Sequence, residues 1–155
     1  ANEEKDEDKD EDEDEDQWQT LDEWELPSEP GAERQAIQRV AEAVRTLNLP
    51  IARLEQLKTA VGEATMNAME HGNNYQADLP VLLRVLASPS VVAVRITDEG
   101  GEAPLPASQA PDIEAKLAGL QSPRGWGMFL IEQFVDELSV TTEGGRRTIE
   151  LLIKR

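Results

Sequence analysis

The 155-residue chain has no cysteine and a single histidine. The first absence removes disulfide staples, thiolate zinc sites and cysteine nucleophiles, and it suits a reducing compartment. The second rules out a multi-histidine metal centre within one chain. Aromatic residues are scarce, at 4%, and the 15 Lys and Arg are outnumbered by 32 Asp and Glu, for a net charge of −17. So negative a surface argues against duplex nucleic acid as a ligand, because phosphate binding needs Lys and Arg gathered on one face. No apolar run approaches the ~18 residues of a membrane span. The N-terminus opens on Ala1-Asn2-Glu3-Glu4 and not on a basic stretch followed by an apolar one. The expectation is a soluble, cytoplasmic protein with neither a membrane nor a direct nucleic-acid partner.

The charge is unevenly spread. Residues 1–30 hold 16 acidic and 2 basic residues, a net −14, whereas 31–155 hold 16 and 13, a net −3, and the two sum to −17. From Asn2 to Asp16 the chain is almost wholly Glu, Asp and Lys, so self-repulsion and the lack of apolar side chains predict an acidic disordered tail over 1–17. The remainder, 18–155, carries enough apolar material for one domain with its own core.

Within that domain Trp18, Thr20, Trp24 and Leu26 fall at even spacing and predict a strand. After Pro27-Ser28-Glu29-Pro30-Gly31, helical spacing of Ala36, Ile37, Val40, Ala43, Val44 and Leu47 predicts a first helix over 32–47. Its stripe is either core or part of a homodimer surface, and the pattern leaves both open. A second helix is predicted over 51–71, with Leu54, Leu57, Val61, Ala64 and Ala68 as its apolar stripe and Gly72-Asn73-Asn74 as its stop. Residues 79–87 and 91–97 read as strands separated by Ser88-Pro89-Ser90. The stretch 98–124 is rich in Gly, Pro, Ala and Ser, with a weakly helical piece near 113–120, and its length predicts a functional loop or lid. A short helix over 126–135 follows, then strands over 138–142 and 147–153 joined across Glu143-Gly144-Gly145. Strands arrive in adjacent pairs, which predicts an α+β two-layer sandwich, its sheet mixed or mainly antiparallel, with helices on one face.

Three pieces carry chemistry. On the second helix Glu63, Asn67, Glu70 and His71 fall at i, i+4, i+7 and i+8, placing a carboxylate and an amide one turn apart on its polar front. Asp98 ends an apolar strand with Gly100 and Gly101 just beyond, where backbone can approach a flat ligand. Arg124-Gly125-Trp126-Gly127 opens a helix, where free N–H groups and the helix dipole attract phosphate. His71 reads as a capping or hydrogen-bonding residue more than a phosphoacceptor.

Together these pieces resemble the GHKL (Bergerat-fold) ATPases, the group that includes gyrase, Hsp90, histidine kinases and MutL. Within it the likeness is to the anti-sigma factor and switch-protein serine kinases. Glu63 to Gly72 resembles the N box, Asp98 to Gly101 the first glycine box, and Arg124 to Ile131 the second. The resemblance implies an ATP- and Mg2+-dependent protein serine/threonine kinase acting on an anti-anti-sigma (STAS) partner and able to sequester a sigma factor. It gives Glu63 the role of base and Asn67 that of Mg2+ ligand. Asp98 would receive the adenine amino group, with Gly100 letting the purine lie against backbone and Thr148 helping to bind the base. Gly125 and Gly127 would present amides to the phosphates, with Arg124 beside them. In this chain the last glycine of the first box is replaced by Glu102, which motivates a second reading: a nucleotide-binding regulatory module that holds a partner without transferring phosphate. A third, the detached ATP-binding half of a histidine kinase, lacks the dimerisation helix pair with its own histidine.

Overall fold

The computed structural model describes residues 17–101 and 127–155. Residues 1–16 of the predicted acidic tail, the predicted helical piece near 113–120, Glu102, Arg124, Gly125 and Trp126 lie outside the described residues. The elements run β1 (Gln19–Leu26), α1 (Glu33–Ala43), α2 (Ile51–Asn67), β2 (Val81–Ala87), β3 (Val91–Asp98), α3 (Gly127–Phe134), β4 (Glu137–Glu143) and β5 (Arg146–Lys154). The five strands form one sheet in the order β1-β2-β3-β5-β4, and every neighbouring pair is antiparallel. Among the described residues the sheet is thus antiparallel throughout, with short turns joining β2 to β3 and β4 to β5.

Strand parity explains the two layers. Trp24 and Leu26, Val81, Leu83 and Val85, Val92, Val94 and Ile96, and Ile149, Leu151 and Ile153 are all buried in one cluster with the helices. Alternate side chains of a strand take opposite faces, so the residues between them, including Arg84, Arg95, Thr97, Thr148 and Glu150, make up the open face. From the helix side come Ala36, Val40 and Val44, then Leu57, Ala60, Val61 and Ala64, then Met128 and Ile131. Helix α2 packs between α1 and α3. Leu57 is wholly buried, and truncating such a residue to Ala costs about 2–5 kcal/mol.

Two helix ends differ from the sequence expectation. The first helix gives way to a 3-10 turn over Arg45–Leu47, closed by Asn48 in the left-handed conformation at φ 53°, a geometry that Asn tolerates. The second is α-helical only to Asn67 and ends in a π-helical turn over Ala68–Gly72. There the Asn73 N–H bonds to the Ala68 carbonyl at 2.9 Å. The β4–β5 hairpin turns on Gly144 and Gly145, both at positive φ, a conformation that favours glycine.

The outer strands are β1 and β4. Each carries acid, with Asp22, Glu23 and Glu25 on β1 and Glu137 and Glu143 on β4.

Candidate active site

Glu63 and Asn67 lie one turn apart on α2, about 6 Å along the axis. Asn67 is buried at 1% exposure and Glu63 is half-buried. Opposite them stands the start of α3: a Cβ built on Gly127 would lie 2.6 Å from Oε2 of Glu63. The absence of a side chain there lets the acid come right up to α3. The structure therefore brings Glu63 against Gly127, with Asn67 one turn further along α2.

The π-helical turn leads from Asn67 to the second part of the site. It delivers Gly72 against the carboxyl group of Asp98, so closely that a Cβ at Gly72 would overlap the carboxyl atoms. A π turn inside a helix is rare and tends to occur at functional sites; here it sets the approach of one backbone to one acid. Asp98 ends β3 and its side chain is fully buried. Its Oδ1 accepts the Gly100 N–H at 2.7 Å, and its Oδ2 accepts from Nε and Nη2 of Arg147 at 3.2 and 3.0 Å. Burial pushes the Asp98 carboxyl above the usual carboxylate range, while the Gly100 N–H and the Arg147 guanidinium pull against that rise.

Asn73, which ends the helix in the sequence reading, is a structural node. It is wholly buried. Its Oδ1 accepts the Glu99 N–H at 2.8 Å, and its Nδ2 donates to the Leu79 carbonyl at 2.9 Å and to Oγ of Ser28 at 3.0 Å. One side chain thus ties the end of α2, the end of β3 and the loop before β2 to one another. His71, by contrast, is exposed, with Nε2 3.8 Å from Oε2 of Glu70.

Thr148 is placed apart from the rest. It pairs with Thr97 across β3 and β5, and their hydroxyls meet at 2.8 Å on the open face. Its neighbour Arg147 pairs with Asp98 and faces the helices. The expected base contact from Thr148 therefore needs correction: strand parity turns Thr148 away from Asp98 and puts Arg147 there. Arg147 shares its parity with Ile149, Leu151 and Ile153, and that phase was the signal available in the sequence. For Asn73 no comparable signal exists, since its partners are distant in the chain.

Shallow hollows on the open face, lined by Thr97, Thr141, Glu143, Arg146 and Thr148, lie on the side of the sheet away from Glu63, Asn67 and Asp98. Among the described residues no group of three or more His, Cys, Asp or Glu could hold a metal ion. A divalent cation at Asn67 would then need ligands from elsewhere, and phosphate oxygens are suitable hard donors. The side-chain oxygen of Asn67 is a hard donor of the kind a magnesium nucleotide takes. No helix among the described residues is long and apolar enough to cross a membrane.

A family model described as the histidine kinase-like ATPase domain matches residues 26–153. The anti-sigma F factor of Geobacillus thermodenitrificans (strain NG80-2) is 33% identical over 116 residues, covering 74% of this chain and 78% of that protein. The anti-sigma F factor of Clostridium beijerinckii is 31% identical over 134 residues, covering 80% and 87%. Of solved structures, that of the RsbU and RsbW domains of Rv1364c from Mycobacterium tuberculosis superposes with a TM-score of 0.60 at 17% identity, over 86% of this chain and 32% of that one. The present chain thus spans about a third of the mycobacterial one. The SiaB–SiaC complex from Pseudomonas aeruginosa gives 0.59 at 12% identity, over 99% and 100%. These two likenesses bear on the fold.

Proposed function

Because the chain belongs to the histidine kinase-like (GHKL) ATPases, among the anti-sigma factors, we propose that it is a Mg2+- and ATP-dependent protein serine/threonine kinase. Its substrate would be an anti-anti-sigma protein of the STAS type, and it would also sequester a sigma factor. The observation that carries this reading is the meeting of Glu63 with the glycine that opens α3, one helical turn from the buried Asn67.

The chemistry asks little of the protein beyond position and charge. Glu63 would accept the proton of an incoming serine or threonine hydroxyl as its oxygen bonds to the γ-phosphorus and the bond to the β–γ bridging oxygen breaks, releasing ADP. Asn67 offers its side-chain oxygen to the metal. Mg2+ supplies neutralisation of the phosphate charge. The first turn of α3, with Gly127 and, by resemblance, Gly125 and Arg124 before it, would receive the phosphates. Asp98 and Gly100 would form the base end.

The test is to incubate the chain with labelled ATP, Mg2+ and a STAS protein, comparing wild type with Glu63→Ala and Asn67→Ala. The expected result is label on a partner serine or threonine, lost in both variants, with nucleotide binding kept in Glu63→Ala. Binding without transfer in the wild type would favour the non-transferring regulatory module. Unchanged binding and transfer in Asn67→Ala would remove the site assignment.

A further inference from the structure

Two observations at the base end converge on one residue. The first concerns acceptor capacity. A carboxylate offers about four acceptor positions, and Asp98 has given one to the Gly100 N–H and two to Nε and Nη2 of Arg147. The second concerns access. The side chains of Arg147 and Asp98 keep 2% and 0% of their surface exposed. Gly72 packs its Cα on the carboxyl group, and a Cβ at Gly100 would lie 2.7 Å from Oδ1. Three of the four positions are taken, both of those on Oδ2 by Arg147, and the carboxyl group is enclosed.

We propose that Arg147 is the specificity-determining residue of the base end, holding Oδ2 of Asp98 and so withholding from an incoming purine the acceptor that tells an amino-bearing base from an oxo-bearing one. The inference deepens the proposed nucleotide reading and rests on it. In consequence the chain holds purine nucleoside triphosphates chiefly by their phosphate end and separates ATP from GTP weakly. The geometry favours this outcome over displacement of the guanidinium. Two donors of one buried guanidinium converge on Oδ2 in charge-assisted bonds, and pulling one partner off a buried pair leaves an uncompensated charge.

Replacing Arg147 with Thr shortens the side chain, removes the fork and returns acceptor capacity to Oδ2. An adenine amino group can then donate to the freed Oδ2.

The experiment is calorimetric titration of the full chain, wild type and Arg147→Thr, with Mg-ATP and Mg-GTP. In the wild type the two dissociation constants are expected within about threefold of each other, and in Arg147→Thr ATP is expected to bind about tenfold tighter with GTP unchanged. A wild type that prefers ATP tenfold or more, with no gain in Arg147→Thr, overturns the role of Arg147 and leaves the nucleotide reading standing. Failure of either nucleotide to bind either protein overturns both. Because Arg147→Thr leaves a buried acid without its partner, a measurement on the wild type is added: the Nε–H resonance of Arg147 under saturating Mg-ATP. It is expected to keep its position and its slow exchange with solvent; disappearance or fast exchange would show the pair opening and overturn the proposal.

Discussion

Gly72 leaves no room for a side chain beneath Asp98. Its Cα rests on the acid's carboxyl group, and a methyl at that point would overlap it. Both residues are buried, so neither can swing into solvent. Gly72→Ala is expected to cost about 2 kcal/mol, lowering the melting temperature by about 4–8 °C. Calorimetry of the purified variant checks this; a melting temperature equal to wild type would mean that the π-helical turn yields without cost.

Asn73 predicts a sharper loss. Removing its amide in Asn73→Ala strands the Glu99 N–H and takes one donor from the Leu79 carbonyl, which keeps the Ser28 hydroxyl at 2.6 Å, at about 3 kcal/mol. Asn73→Asp keeps an acceptor for Glu99 but points an acid at the Leu79 and Pro80 carbonyls. It is therefore expected to be no more stable than Asn73→Ala. Urea denaturation of the two variants side by side decides this, and rescue by Asp would show that only the accepting half of the amide matters.

Gly127 is expected to matter for transfer more than for folding. A methyl there would push Glu63 aside, and a displacement of about 1 Å at a reacting group can cost about a hundredfold in rate. Gly127→Ala should therefore lose phosphoryl transfer to a STAS partner while keeping its helix content by circular dichroism. Transfer at the wild-type rate would detach Glu63 from the role of base.

Asp136 gives a prediction in pH. Its carboxyl accepts the Lys154 N–H at 2.7 Å and lies 3.1 Å from Nη2 of Arg53. The Lys154 backbone bond first, then Arg53, hold it below the ordinary aspartate value of 3.8. A group lowered in the folded state adds stability that is fully present above the unfolded value and fades as pH falls through 3.8 toward the folded one. The pair is partly exposed, so the gain is no more than about 1 kcal/mol. The stability difference between wild type and Asp136→Asn is therefore expected to be largest near neutrality and to shrink below pH 3.8. A difference constant from pH 7 to pH 3 would contradict it.

The strands and hairpins were legible in the sequence because alternation and turn residues are local: Ser88-Pro89-Ser90 and Gly144-Gly145 fall between paired strands as their composition implies. Glu63, Asn67 and Gly127 were legible as motif positions, and the approach of Glu63 to Gly127 requires only that α2 and α3 pack together. The π-helical turn was not legible, since nothing in Ala68-Met69-Glu70-His71-Gly72 marks it locally. It is accompanied by the long-range bonds of Asn73 and the fit of Gly72 to Asp98. Thr148 was misplaced for a different reason. A motif likeness names a residue type near a position, whereas pleating decides which of two neighbours looks inward, and here that neighbour is Arg147.

The two borders of the sheet have a colloidal consequence. An unpaired strand margin invites a second molecule to add on by its backbone, yet among the described residues each margin bears carboxylates, Glu25 beside the arginine-paired Asp22 and Glu23 at one side and Glu137 and Glu143 at the other. Copies meeting border to border at neutral pH bring like charges face to face, so crowding of this chain is resisted where ribbon-like growth would otherwise begin, and acidification weakens that resistance.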